Sequence, residues 1–297
     1  MNRARAIAGA KIAWLTLVAV GLWLFLANYD VRAVTEGRGL ARSLLAVLCV
    51  CAAHVGVVLS QSQAIAANAP VGSVVGWRTN LRIFNLTNLS KYIPLSGANL
   101  AVNGVLINRA GLSGGAAAKA LLLMTFWTVA GALAFGAPAA AHLVELPLWA
   151  GAVAGALGLL VLVAVRPERW LGIRGSYAPW LQLCGQILIW TGYGTMFALV
   201  LWPDLTPAAR VAAASAYDLG FGAGLLAVFA PSGVGVREVV VGWTLPELDF
   251  QTVIAATLYA RLLILAADVT FAVPAYVFTH SAADSARGSS PSSGGRQ

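Results

Sequence analysis

Long apolar runs separated by short polar loops dominate the chain, and no stretch alternates apolar and polar residues with a period of two. Seven segments, about 12–29, 42–65, 117–137, 146–165, 178–202, 211–230 and 251–278, are long enough to cross a bilayer. The criterion is geometric: about 20 residues rising 1.5 Å each match a hydrocarbon core of about 30 Å. The missing period-two pattern argues against a lipid-facing β-barrel. Two further stretches, about 93–108 and 231–247, are apolar but short and interrupted by Pro and Gly, which is the pattern of re-entrant hairpins or half-helices. The expected fold is an all-α polytopic membrane protein with about seven full transmembrane helices plus two re-entrant Pro/Gly-broken hairpins. A single membrane domain over 1–280 and a disordered Ser/Gly-rich tail over 281–297 complete the expected organisation.

The two broken stretches resemble each other. Pro94-Leu95-Ser96-Gly97 opens the first and Pro231-Ser232-Gly233-Val234-Gly235 the second, 137 residues further on, each followed by a long span. Turn residues at Pro94, Gly97, Pro231, Gly233 and Gly235 would let the backbone break inside the membrane, and corresponding breaks in two halves of a chain point to a transporter's binding site. An internal repeat is therefore expected, with chance likeness between Gly-rich segments as the competing explanation. Ahead of the first break, Arg78 and Arg82 lie four apart with Val75, Leu81, Ile83, Phe84 and Leu86 around them. That mixture fits an interfacial helix over 72–92 better than an ordinary cytoplasmic loop.

Composition narrows the class further. Of 297 residues 59% are hydrophobic and only 10% charged, outside the range of water-soluble domains of this size. The net charge of +8 raises the question of nucleic acid, but the basic residues are spread over short loops, where cations set topology and meet anionic headgroups. Arg3, Arg5 and Lys11 precede the first span, Arg78, Arg82 and Lys91 follow the second, and Arg166, Arg169 and Arg174 follow the fourth, which places the N-terminus in the cytoplasm of a bacterial-type inner membrane. Arg32 and Arg38 in the loop 30–38 dissent mildly. The first span ends in Leu26-Ala27-Asn28-Tyr29-Asp30 without a small-x-small cleavage site, so it reads as retained. The side of the C-terminus depends on whether both short pieces are re-entrant. Cys49, Cys51 and Cys184 sit in apolar segments and act as small hydrophobes.

The chemistry lies in charges that a bilayer should exclude, since one Arg, Lys or Asp at mid-span costs about 2.5–3.5 kcal/mol on insertion scales. These are Lys91, Arg109, Lys119, Asp218, Arg237, Glu238, Arg261 and Asp268. Arg237 and Glu238 directly follow the second turn, where free N–H groups and a guanidinium would together make an anion site. Glu238 would hold Arg237 or another cation in place; the competing reading is a purely structural ion pair. Arg261 and Asp268 are seven apart, two turns along one face of the last span. Arg261 would join Arg237 and Lys91 in a basic cluster, or pair with Asp218 or Glu238. Asp268 is a partner for a cation or a proton carrier. Lys91-Tyr92 stand at the entrance to the first break, where anchoring in the headgroup zone is the alternative. His54 is alone in its span, which favours a hydrogen bond in the bundle over a metal site. No Walker motif, no G-x-S-x-G, no Ser/His/Asp set and no H-E-x-x-H is present, so no enzyme, cofactor or metal is expected.

Ala230-Pro231-Ser232-Gly233-Val234-Gly235-Val236-Arg237-Glu238 resembles a P-G-G-x-G-x-R-E signature of the flippase-like family that includes the membrane domain of lysylphosphatidylglycerol synthetase. Lys91-Tyr92-Ile93-Pro94 is similar to that family's earlier K-Y-[IL]-P-G element, and Arg261 falls where the family carries an arginine in its last region. Ser232 stands in place of a glycine, as do Leu95 and Ser96. The likeness covers roughly residues 10–280 and leaves out the aminoacyl-transferase domain. It implies a stand-alone module that moves a phosphate-bearing lipid (a phospholipid, an aminoacyl-phospholipid or a polyprenyl-phosphate-linked lipid) across the inner membrane. Lys91, Arg237 and Arg261 would bind the lipid phosphate, and Tyr92, Asp218, Glu238 and Asp268 would support them. The alternative is a membrane component of a lipid-modifying transferase that presents lipid to a partner enzyme. The expected partners are membrane lipids, a cytoplasmic transferase or lipid-pathway enzyme, and copies of the chain itself, but no nucleic acid.

Overall fold

The structure is a computed structural model that describes residues 39–70, 75–91, 98–173, 177–201, 205–227, 233 and 235–288. Among these residues the secondary-structure elements are all helical, nine α-helices and one 3-10 turn, joined by short loops. In chain order the helices are α1 (Leu40–Asn68), α2 (Trp77–Ser90), α3 (Ala98–Arg109), α4 (Gly114–Leu143), α5 (Leu148–Val165), α6 (Pro179–Leu201), α7 (Pro207–Leu226), α8 (Val236–Thr244) and α9 (Phe250–Gly288).

Five of them, α1, α4, α5, α6 and the Phe250–Ala272 part of α9, are long and apolar enough to cross a membrane. They match the expected segments 42–65, 117–137, 146–165, 178–202 and 251–278. The expected span at 12–29 lies outside the described residues, and the one at 211–230 is a helix that stops at Leu226. α9 continues to Gly288, through the start of the Ser/Gly-rich tail. Large apolar side chains cover the outside of the bundle, among them Trp149, Leu157 and Val161 on α5. Such surface is costly in water and natural against acyl chains.

Three helices are short. With 14, 12 and 9 residues, α2, α3 and α8 are about 21, 18 and 14 Å long, well below a hydrocarbon core of about 30 Å.

The core is an antiparallel crossing of α1 and α6. A methyl group at Gly56 would lie 2.5 Å from the Gly185 carbonyl oxygen, so the two backbones touch where both residues lack a Cβ. Close approach through small residues is how helices associate where no hydrophobic effect acts between them. Buried amides fasten the same seam. Ser60 Oγ accepts from Gln182 Nε2 at 2.6 Å and from Gln186 Nε2 at 3.3 Å, and Trp190 Nε1 donates to Gln186 Oε1 at 3.0 Å. α2 is tied to α1 in turn, because Gln61 Nε2 donates to the Asn80 carbonyl at 3.1 Å and Asn80 bonds Ser62. α2 also exceeds its expected role as an interfacial helix: Arg78 and Arg82 are exposed, but Asn80, Ile83 and Phe84 are buried and its C-terminal end reaches into the bundle.

Local sequence explains the remaining starts. Thr206 caps α7 by accepting from the Ala209 N–H, with Pro207 at the first helical position, and Ser113 caps α4 through the Ala116 N–H.

Candidate functional site

The second Pro/Gly stretch breaks the chain between α7 and α8. Gly233 has φ +68° and Gly235 φ +86°, values that side chains rarely tolerate. Gly233 also packs on Gly224 of α7 so closely that an added Cβ would sit 2.8 Å from the Gly224 Cα. The two helices therefore fold back on each other, and α8 starts inside the bundle. At its first turn, Glu238 Oε2 accepts from the Gly235 N–H at 2.8 Å, which satisfies one otherwise orphaned donor.

Glu238 and Arg237 point to different partners. Glu238 Oε1 accepts from Arg261 Nη2 on α9 at 2.9 Å. Arg237, only 8% exposed, lies with its guanidinium carbon 4.2 Å above the Phe221 ring and 5.5 Å from the Tyr217 ring, and donates from Nη1 to Tyr217 Oη at 3.2 Å. No carboxylate among the described residues pairs with it, and its buried Nε has no hydrogen-bond partner. The aromatic seat is itself braced: Tyr193 stacks on Phe221 at 5.3 Å and Phe197 on Tyr217 at 4.7 Å. A guanidinium stacked this way keeps its N–H edge for oxygen acceptors, and a phosphate or carboxylate matches that fork.

A second polar knot lies where the end of α2 meets α1 and α9. Asp268 Oδ2 is 2.7 Å from Lys91 Nζ, and Oδ1 accepts from Asn88 Nδ2 at 2.9 Å. His54 Nε2 lies 3.1 Å from the same Oδ1, although not aligned for a good hydrogen bond. Lys91 keeps 27% of its side chain exposed, while Asp268 and His54 are enclosed. Arg237 lies within electrostatic reach of Lys91, so the two knots share one interior.

The expected site residues thus divide. Lys91, Arg237, Glu238, Arg261 and Asp268 come together inside the bundle. Asp218 is buried and lies against Gly194 on α6, but forms no ion pair among the described residues, and its Oδ1 has no partner. Of the pairings left open for Arg261, Glu238 is the one observed. Arg109 and Lys119 are exposed. Tyr92, Pro94, Gly97 and Pro231 lie outside the described residues, as does Ser232.

Sequence reasoning missed the seat of Arg237. Tyr217 and Phe221 are four apart on one face of α7, a spacing that marks a shared surface but names no occupant. It also treated His54 as solitary, because its neighbour Asp268 is more than 200 residues away in the chain.

Compared with known proteins, the chain matches no family model, and no curated protein matches it either.

Proposed function

We propose that this protein is a lipid transporter of the flippase kind, moving a phosphate-bearing lipid between the leaflets of the inner membrane, with its N-terminus in the cytoplasm. One observation carries the reading: Arg237 is a buried cation held by aromatic rings, with its neighbour in sequence, Glu238, committed to Arg261 and to the Gly235 N–H. A purely structural arginine in an apolar interior would be expected to have its own carboxylate. A phosphate oxygen would supply the missing charge, with Lys91 and Arg261 beside it.

The helix lengths support two re-entrant hairpins that open on opposite faces. The α2–α3 hairpin returns to the turn just before α4 begins, whereas Glu247, just after α8, lies 3.4 Å from His142 at the far end of α4. On this reading the bases of the two hairpins lie at opposite ends of one long helix, with Lys91 and Arg237 between them. Broken helices of opposite direction that meet at mid-membrane suit alternating access to one headgroup site. The likeness of the two Pro/Gly turns to the flippase-like signature points the same way.

Native mass spectrometry of lipid carried through purification tests the reading. The wild-type chain is expected to retain a phosphate-bearing lipid and Arg237→Ala to lose it. Equal lipid occupancy in both would overturn the proposal.

A further inference from the structure

We propose that Thr87 and Asn103, on the two helices of the first hairpin, form a hydroxyl-binding subsite, so that the headgroup carried is a phosphate ester of a polyol such as glycerol or a sugar. The inference rests on the reading of the protein as a carrier of a phosphate-bearing lipid.

α2 and α3 pack against each other, and Ile83 of the one and Ile107 of the other are buried in a single apolar cluster. Thr87 lies four residues beyond Ile83 and Asn103 four before Ile107, both toward the stretch that joins the two helices. Four residues make just over one turn, so Thr87 and Asn103 continue the same two faces past the isoleucines. Apolar packing gives way there to a hydroxyl and an amide. Asn103 is only 5% exposed, yet its Oδ1 is buried without a hydrogen-bond partner, and so is Thr87 Oγ1. The two side chains therefore do not bond each other.

Thr87 departs from the habit of this chain. Thr128, Thr191, Thr244, Thr257 and Thr270 each donate their hydroxyl to the carbonyl four residues back in their own helix, a common way to satisfy a threonine in an apolar helix. Thr87 does not, and its own carbonyl is taken by Ser90 Oγ at 2.6 Å. A buried polar atom left without a partner is destabilising, and an aliphatic side chain would fill either position without that cost. A ligand that supplies the missing hydrogen bonds accounts for both atoms together.

The chemistry of the pair selects the ligand. An amide oxygen only accepts, so the ligand must donate, whereas the threonine hydroxyl can do either. An ammonium group also donates, but a cation in an apolar interior calls for a carboxylate or a cage of aromatic rings, and Thr87 and Asn103 offer neither. Neighbouring hydroxyls on one short carbon chain would satisfy both side chains at once. Lys91, read above as a phosphate ligand, stands one turn beyond Thr87 along α2, about 6 Å in axial rise. A three-carbon polyol spans that step from its phosphate.

The test compares short-chain lipids binding to the purified full chain in detergent. Dihexanoylphosphatidylglycerol is set against dihexanoylphosphatidylpropanol, which keeps the charged phosphodiester but has no hydroxyl, with dihexanoylphosphatidylethanolamine as a third arm. The glycerol lipid is expected to bind the wild type at least about fivefold more tightly than the propanol lipid, the scale of one or two hydrogen bonds. Thr87→Val and Asn103→Leu are each expected to bring that ratio below about twofold. A wild-type ratio near one overturns the hydroxyl subsite and leaves the transport reading standing. Tightest binding of the ethanolamine lipid overturns it in favour of an ammonium ligand. A preference that both variants retain assigns hydroxyl recognition to other residues and overturns the inference. No binding of any of the three lipids overturns both readings. Without lipid, Thr87→Val is expected to melt no lower than the wild type, since Oγ1 has no partner to lose, and a clear loss of stability or of folding would show a structural bond and overturn the subsite as well.

Discussion

Glu238 serves Arg261 rather than Arg237, its neighbour in sequence: its Oε1 accepts from Arg261 Nη2 at 2.9 Å, and its other oxygen caps the Gly235 N–H. Two short contacts thus lock α8 to α9 and to the preceding turn, while Arg237 is left to an aromatic seat. A structural role and a binding role fall on adjacent residues.

The locking role has an energetic signature. Breaking a largely buried ion pair from one side leaves an uncompensated charge, which costs on the order of 3 kcal/mol. Glu238→Gln is expected to lower the denaturant midpoint of the purified protein by an amount of that order. Glu238→Gln combined with Arg261→Met should recover part of the loss, because no orphan cation remains. Additive effects of the two substitutions would mean that the pair does not couple α8 to α9.

The α1–α6 crossing makes a sharper stability prediction. Gly56 faces backbone at van der Waals distance or less, whereas Gly158 on α5 has nothing within 4 Å of an added Cβ. Gly56→Leu is expected to destabilise the protein by at least about 1–3 kcal/mol, the range for overpacking a filled interior. Gly158→Leu should be nearly neutral. Thermal melts of both variants in the same detergent check this, and equal midpoints would contradict the packing.

Ser60 is the acceptor for two buried amides, Gln182 and Gln186. Ser60→Ala leaves both donors without it and is expected to cost about 1–3 kcal/mol, more than the roughly 0.6 kcal/mol average for one interhelical hydrogen bond in a membrane protein. Ser62→Ala, in the separate contact of α1 with Asn80 on α2, should cost less. Steric trapping or denaturant titration in micelles would rank the two, and the reverse order would refute the network as drawn.

The fold was legible in the sequence wherever apolar length was the deciding variable: the runs beginning near 42, 117, 146, 178 and 251 all became long helices. Length also marked 93–108 and 231–247 as pieces too short to cross. Pairing was not legible. Nothing in the order of residues says that Asp268 meets Lys91 and His54, or that Glu238 prefers Arg261, since these contacts join residues more than 20 positions apart in the chain and depend on how their helices are arranged in space. A partial signal existed for the α1–α6 seam. Gln182, Gln186 and Trp190 recur every four residues along one face of an apolar helix, and polar groups in that register imply a polar partner across the interface. The acceptor, Ser60, lies in a separate run, so its identity had to come from the packed structure.

The central claim, that Arg237 receives an anionic headgroup, is tested most directly by following labelled phosphatidylglycerol between leaflets of liposomes containing the wild type, Arg237→Lys or Arg237→Ala. The account predicts transbilayer movement for the wild type, a reduced rate for lysine, which keeps the charge but loses the fork, and for alanine a loss of at least about tenfold, equivalent to about 1.4 kcal/mol, in protein that still folds. Movement at the wild-type rate in folded Arg237→Ala would contradict it.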